Sequence, residues 1–166
     1  MNTIRAVTTG ISHFLDDLIR PLFEKSAQPK PIIDGSHLLR QLEQYDCDGH
    51  LTPNTLFCTT DINNLYTMLP QDQSLENVEE FLKGYNLKKD LQGIPLKVIL
   101  QLAEIVLKEA VFFYENKYYK QIIGGPMGSP FTLTLANIFM WKRQQKFVQQ
   151  QEITNEVYGR SVPMRH

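Results

Sequence analysis

Two short stretches of this chain combine residue types that can do chemistry. Thr55–Thr60 reads TLFCTT, β-prone and apolar in its middle, and it runs into Asp61. That pattern predicts a central strand with a carboxylate at its tip. Such a carboxylate is a hard oxygen donor of the kind Mg²⁺ takes, and the Ile62 carbonyl beside it offers a second oxygen. An aromatic, Tyr66, stands five residues beyond Asp61. The second stretch is Gln121–Trp141, QIIGGPMGSPFTLTLANIFMW. Its GGPMGSP turn holds three glycines and two prolines, and an almost uncharged helical pattern follows directly. Glycine adopts positive φ or lets a second backbone come close, at an entropic cost. A rigid, close-approach surface for a flat or extended ligand explains this composition better than a solvent loop. Taken singly, each feature also has a plainer reading: Asp61 caps the turn after its strand, and Tyr66 packs in the core.

Other groupings carry less. Asp16-Asp17 is the only Asp-Asp pair, but it falls mid-helix on a polar face. Adjacent helical side chains point about 100° apart and do not clamp one metal easily, so a solvated face is expected. Asp46-Cys47-Asp48-Gly49 starts like a calcium loop but lacks the later ligands and the Glu at the twelfth position, so it reads as a turn. GGPMGS is not a P-loop, because no Gly-Lys-Ser/Thr follows. His13, His37, His50 and His166 show no metal-ligand spacing. Cys47 and Cys58 form no CxxC and have no nearby His pair, which predicts reduced, buried thiols of an intracellular protein. Trp141 reads as helix packing. Tyr114, Tyr118 and Tyr119 have the chemistry to stack on nucleic acid, with hairpin packing the favoured reading.

The elements that must position these residues follow from periodicity. Ile11–Lys25 repeats apolar residues at helical spacing, with Ser12 as N-cap and Pro21 expected to bend the helix or split off its last turn. Asp34–Tyr45 is a second helix with Leu38, Leu39 and Leu42 inward. Ser74–Lys83 opens on a capping-box-like S-x-x-N and ends near Gly84. Pro95 starts a helix over Leu96–Ala110. Val111–Tyr114 and Tyr118–Ile123 flank Glu115-Asn116-Lys117 as an aromatic β-hairpin. Phe131–Gln150 is a long helix whose first half is apolar all round, hence buried, and whose second half emerges into water.

Composition bounds the rest. A chain of 166 residues makes one domain. A formal charge of −1 and a pI near 6.4 exclude a large basic footprint. Local patches remain at Lys88–Lys89 and at Lys142, Arg143 and Lys146. No apolar run reaches the ~18 residues of a membrane span. No signal-peptide core follows Met1, so an intracellular location is expected, with nucleus and cytoplasm not distinguishable.

The turn and the Asp61 segment together resemble reverse transcriptases, most closely those of Penelope-like (non-LTR-type) retroelements. IGGPMGSP followed by a helix containing TLANIFM looks like the second palm motif of that family. TLFCTTDINNLYTMLP looks like the first, and the two stand in family order. MNTIRAVTTGISHFLDDLIRPLF resembles the late fingers segment, and NEVYGR resembles the lead-in to the third palm motif. The resemblance implies an α/β (α+β) fold: a partial right-hand polymerase with fingers helices and a small, mainly antiparallel palm sheet. It divides the chain into a fingers-like 1–54, a palm-like 55–160 and a divergent tail 161–166. It implies RNA-directed DNA polymerase chemistry, in which two metal ions align an in-line attack. Asp61 and the Ile62 carbonyl would bind Mg²⁺ or Mn²⁺. Tyr66 would lie under the incoming sugar and exclude a ribose 2′-hydroxyl. Gly125, Pro126, Gly128, Ser129 and Pro130 would follow the nucleotide base and template, and Arg5 is the nearest phosphate contact. The implied partners are an RNA template, a DNA primer and a deoxynucleoside triphosphate, with a second copy or a downstream segment as protein partner.

The sequence departs from the family at one decisive place. The third palm motif continues there as Tyr-x-Asp-Asp, whereas here Arg160 is followed by SVPMRH, and no Asp occurs beyond Asp90. One Asp cannot hold two dications against their mutual repulsion. Each 1.36 kcal/mol of lost transition-state stabilisation is about tenfold in rate. The expectation is a reverse transcriptase segment truncated at both ends and inactive alone. The alternatives are a non-catalytic remnant that binds nucleic acid or protein, and an unrelated helical interaction protein.

Overall fold

The computed structural model describes residues 8–26, 34–57, 62–85 and 90–154, with side chains as far as 145. Among these residues the elements run α1 (Thr9–Ser26), α2 (Gly35–Cys47), α3 (Leu65–Met68), α4 (Gln71–Gly84), β1 (Asp90–Leu91), β2 (Ile94–Pro95), α5 (Leu96–Lys108), β3 (Val111–Tyr114), β4 (Lys117–Lys120) and α6 (Pro130–Thr154). The chain is α+β: helices with two separate two-stranded antiparallel sheets, β1-β2 and β3-β4. The expected single palm sheet is not assembled among the described residues.

Helix α6 is the axis of the core. Phe131 through Ala136, then Ile138 and Phe139, are buried in succession, so this half of the helix is enclosed on all sides, as its sequence predicts. Helices α1 and α4 pack on α6, and α5 packs on α1 and α4. Leu15, Ile19, Val78, Leu82, Ile99, Val106 and Leu135 are each fully enclosed in one continuous cluster. Burial of each such side chain contributes about 1.5–3 kcal/mol. Phe23, Phe81 and Trp141 close one end of that cluster, with Trp141 edge-on to both phenyl rings at centroid distances of 6.4 and 5.8 Å. Trp141 therefore packs between helices, as expected.

Several boundaries differ from the expectation, each for a local reason. Helix α1 runs through Pro21 without splitting. Pro21 is exposed, and so is Asp17, the residue four back whose carbonyl loses its partner. Asp34, not a helical residue, caps α2: its carboxylate accepts from the His37 N–H at 2.7 Å. No residue of α2 is buried, so the expected inward packing of Leu38, Leu39 and Leu42 is corrected. Cys47 at its end is exposed rather than buried. Helix α4 starts three residues before the predicted cap, and Ser74 lies inside it, buried, donating to the Pro70 carbonyl at 2.6 Å. The β1-β2 hairpin was not legible. Its Gln92-Gly93 turn has positive φ at both positions, at 53° and 81°, the geometry of a type I′ turn. In the second hairpin the turn is Glu115-Asn116, again positive at both, and Lys117 joins the strand while Ile122 and Ile123 leave it. Thr55, Leu56 and Phe57 form no strand. Leu56 and Phe57 are exposed, and the remainder of that predicted strand, with Cys58 and Asp61, lies outside the described residues. No helix among the described residues is long and apolar enough to cross a membrane.

Candidate functional site

The residues following Asp61 and the Gly-rich turn meet through their backbones. Asn64 adopts the left-handed region, at φ 58°, and reverses the chain into the four-residue helix α3. Leu65 and Leu69 are buried and anchor its two ends, with Tyr66 partly buried between them. The end of such a helix leaves carbonyl oxygens without intrahelical donors. Two of these oxygens, from Leu69 and Tyr66, accept from Gly124 N–H at 2.9 Å and Gly125 N–H at 2.8 Å. Segments separated in sequence by all of α4, α5 and both hairpins thus share a two-bond backbone clasp.

The approach is close enough to dictate glycine at both positions. A Cβ on Gly124 would stand 2.4 Å from the Tyr66 oxygen and 2.7 Å from Thr67 Cα. A Cβ on Gly125 would stand 2.5 Å from the Thr132 methyl, and Thr132 is itself buried. The close approach expected for a ligand is, at these two glycines, made by the protein's own chain. Gly128 is different. Its φ is 81° but open space surrounds it. It is the third residue of a turn closed by Ser129 N–H on the Pro126 carbonyl at 3.2 Å, where a positive φ is required.

The turn leads straight into α6. Ser129 precedes Pro130, the first helical residue, a position at which proline's fixed φ and missing N–H cost nothing. The Ser129 hydroxyl faces the Thr132 N–H at 3.4 Å. The buried Phe131 N–H, one residue earlier, is satisfied from another helix: Ser12 Oγ of α1 accepts from it at 3.1 Å and lies 2.6 Å from Ser129 Oγ. Ser12 is therefore not the cap of its own helix, as the sequence suggested, but a buried member of the α6 cap. One turn further on, Thr134 donates to Asp16 Oδ1 at 2.5 Å, and the Arg20 guanidinium reaches the other oxygen. Asp16 is buried while Asp17 is exposed, which corrects the expected solvated pair. The adjacent positions do point apart, as helix geometry requires.

Two glutamines hold the turn's carbonyls. Gln71 Nε2 donates toward Gly124 O at 2.9 Å, Leu107 O at 3.2 Å and Gln121 O at 3.4 Å. Gln121 Nε2 donates to Ile123 O at 3.0 Å and Gly125 O at 3.1 Å. Sequence reasoning missed Ser12, Asp16 and Gln71 in these roles. Each is a polar residue whose partner is remote in the chain, so no local pattern marks it.

The candidate residues separate by exposure. Gly125 and Pro126 are buried, Ser129 and Pro130 half-buried, and Gly128 exposed. Ile62 is exposed; Asp61 and Arg5 lie outside the described residues. Burial raises the Tyr66 phenol above its ordinary pKa of 10.0. Residues 62–70 and 121–131 contain no Lys or Arg. What they offer a ligand is backbone, hydroxyls and the exposed apolar side chains of Met68, Ile122, Ile123 and Met127. That set suits a base or sugar better than a phosphate. No three His, Cys, Asp or Glu side chains converge among the described residues. A separate cleft of about 640 Å³ lies between α4 and α5, over Leu75, Leu96 and Leu100, and includes none of the motif residues.

No family model, curated protein or solved structure matches the chain.

Proposed function

We propose that this chain is a reverse-transcriptase-like segment whose α3–turn unit cradles the base and sugar of a nucleotide and its template. The observation that carries the reading is the clasp of Gly124 and Gly125 on Leu69 and Tyr66. It joins the two stretches that resemble successive palm motifs. Within the cradle Gly128, Ser129 and the rim of Tyr66 are the ligand-facing groups. Gly125, Pro126 and Pro130 shape the turn from beneath. Asp61 and the Ile62 carbonyl would hold one Mg²⁺ or Mn²⁺, and Arg5 would meet a phosphate.

The same reading makes the chain a binder and not a catalyst by itself. Only Asp61 corresponds to a metal ligand of the family, and no Asp follows Asp90. A fluorescent RNA–DNA primer–template and a primer-extension assay with Mg²⁺ or Mn²⁺ test both parts. The chain is expected to bind the hybrid and extend nothing. Met127→Glu places a negative charge at the exposed tip of the turn and should weaken binding by about tenfold, since a rim charge opposes the phosphates. Absence of binding by the unaltered chain overturns the cradle. Asp61-dependent incorporation overturns the claim of inactivity.

A further inference from the structure

We propose that Gln71 is a positioning residue that sets the conformation in which the Gly-rich turn meets its ligand; the inference rests on the cradle reading above. Gly124 has one backbone donor and one acceptor, and the tripeptide Leu69-Pro70-Gln71 satisfies both. Its N–H goes to Leu69 O at 2.9 Å, and its C=O receives Gln71 Nε2 at 2.9 Å. The same amide nitrogen faces Leu107 O, at the end of α5, and Gln121 O, where the chain leaves β4. One side chain at the start of α4 thus gathers carbonyls from the end of α5 and from the stretch that runs from β4 into the turn.

The chemistry explains why a glutamine stands there. A carboxamide NH₂ carries two donor hydrogens, and three carbonyl oxygens need a donor and nothing else. Asn would be a methylene too short. Glu would bring further acceptors against acceptors, unless protonated, when it offers a single O–H. The half-buried setting makes each unmet carbonyl costly. The turn it holds then presents Gly128 and Ser129 three and four residues beyond Gly125, the last bonded glycine.

The test uses the full chain, ¹⁵N-labelled, with amide hydrogen exchange read at Gly124, Gly125 and, as a control in the α1 core, Ile19. In Gln71→Ala, exchange at Gly124 and Gly125 should rise by about tenfold or more, as local opening becomes easier. Exchange at Ile19 should hold, and affinity for the RNA–DNA primer–template should fall. Gln71→Glu supplies a readout that mere space-filling would not give. Among carbonyls its carboxyl pKa is raised, so the turn should be protected at about pH 5 and loosened at about pH 8, relative to intrinsic exchange rates. This second variant also decides the matter if Gln71→Ala does not fold. Unchanged exchange at Gly124 and Gly125, equal loosening of Ile19, or a pH-independent Gln71→Glu would overturn the proposal. Loosened glycines in a chain that never binds the hybrid would uphold the positioning role and overturn the nucleotide reading instead.

Discussion

At the residue scale, the glycines of GGPMGSP do three different jobs. Gly124 is needed twice over: its φ is 78°, and its missing Cβ is where the Tyr66 carbonyl sits. Gly125 is needed for space alone, against buried Thr132. Gly128 is needed for conformation alone. Left-handed backbone costs a non-glycine residue about 1–2 kcal/mol, and forcing atoms into filled space costs about 1–3 kcal/mol more. Gly124→Ala should therefore lose about 2–5 kcal/mol in urea unfolding, the sum of those two costs. Gly128→Ala should lose only about 1–2 kcal/mol. Equal losses would show that the Tyr66–Gly124 contact does not constrain the turn. The sequence announced that these glycines mattered, but not that two of them face inward, because composition does not say which backbone makes the approach.

At the element scale, α1 and α6 are joined by two polar ties as well as by their apolar faces. Ser12 completes the α6 cap, and Asp16 holds Thr134 one turn on. Neither tie follows from amphipathicity, which marks Ser12 and Asp16 only as polar residues beside an apolar stripe. Their burial is a consequence of α6 being apolar on every side, so that its neighbours wrap it closely. Removing one partner of a buried pair leaves the other unsatisfied, at about 1–3 kcal/mol. Asp16→Ala should lower stability by about that much, and Asp17→Ala, one residue away and exposed, by less than about 0.5 kcal/mol. Thermal unfolding followed by circular dichroism distinguishes them, and equal shifts would remove Asp16 from the core network. Arg20 moderates the loss little, since its side chain remains 41% exposed.

At the scale of the whole molecule, the core is one cluster from α1 to α6, and the β3-β4 hairpin stands outside it. The register pairs Phe113 with Tyr118 on one face and Phe112 with Tyr119 on the other. The rings meet each other across the strands, at 5.1 and 5.6 Å, as hairpin packing predicts. Even so, Phe113 stays 56% exposed and Tyr118 80%. Lysines mark both ends of β4, whereas β3 carries no charge to guard its edge. The isolated chain should self-associate as its concentration rises. Phe113→Thr with Tyr118→Thr should reduce that association while changing unfolding stability by no more than about 0.5 kcal/mol per site, as exposed substitutions do. Sedimentation velocity across a concentration series checks this, and identical behaviour of the two proteins would count against it.

The sequence by itself determined the long helices, the burial of α6, the second hairpin and the special character of the turn. Those features are written in local period, β-branched and aromatic runs, and glycine or proline chemistry, which act over a few residues. Only the tertiary structure decided what the turn touches. The clasp on α3, the Ser12 and Asp16 ties and the Gln71 hub are hydrogen bonds between segments far apart in the chain. Such bonds are selected when packing excludes water and leaves each buried polar group one available partner.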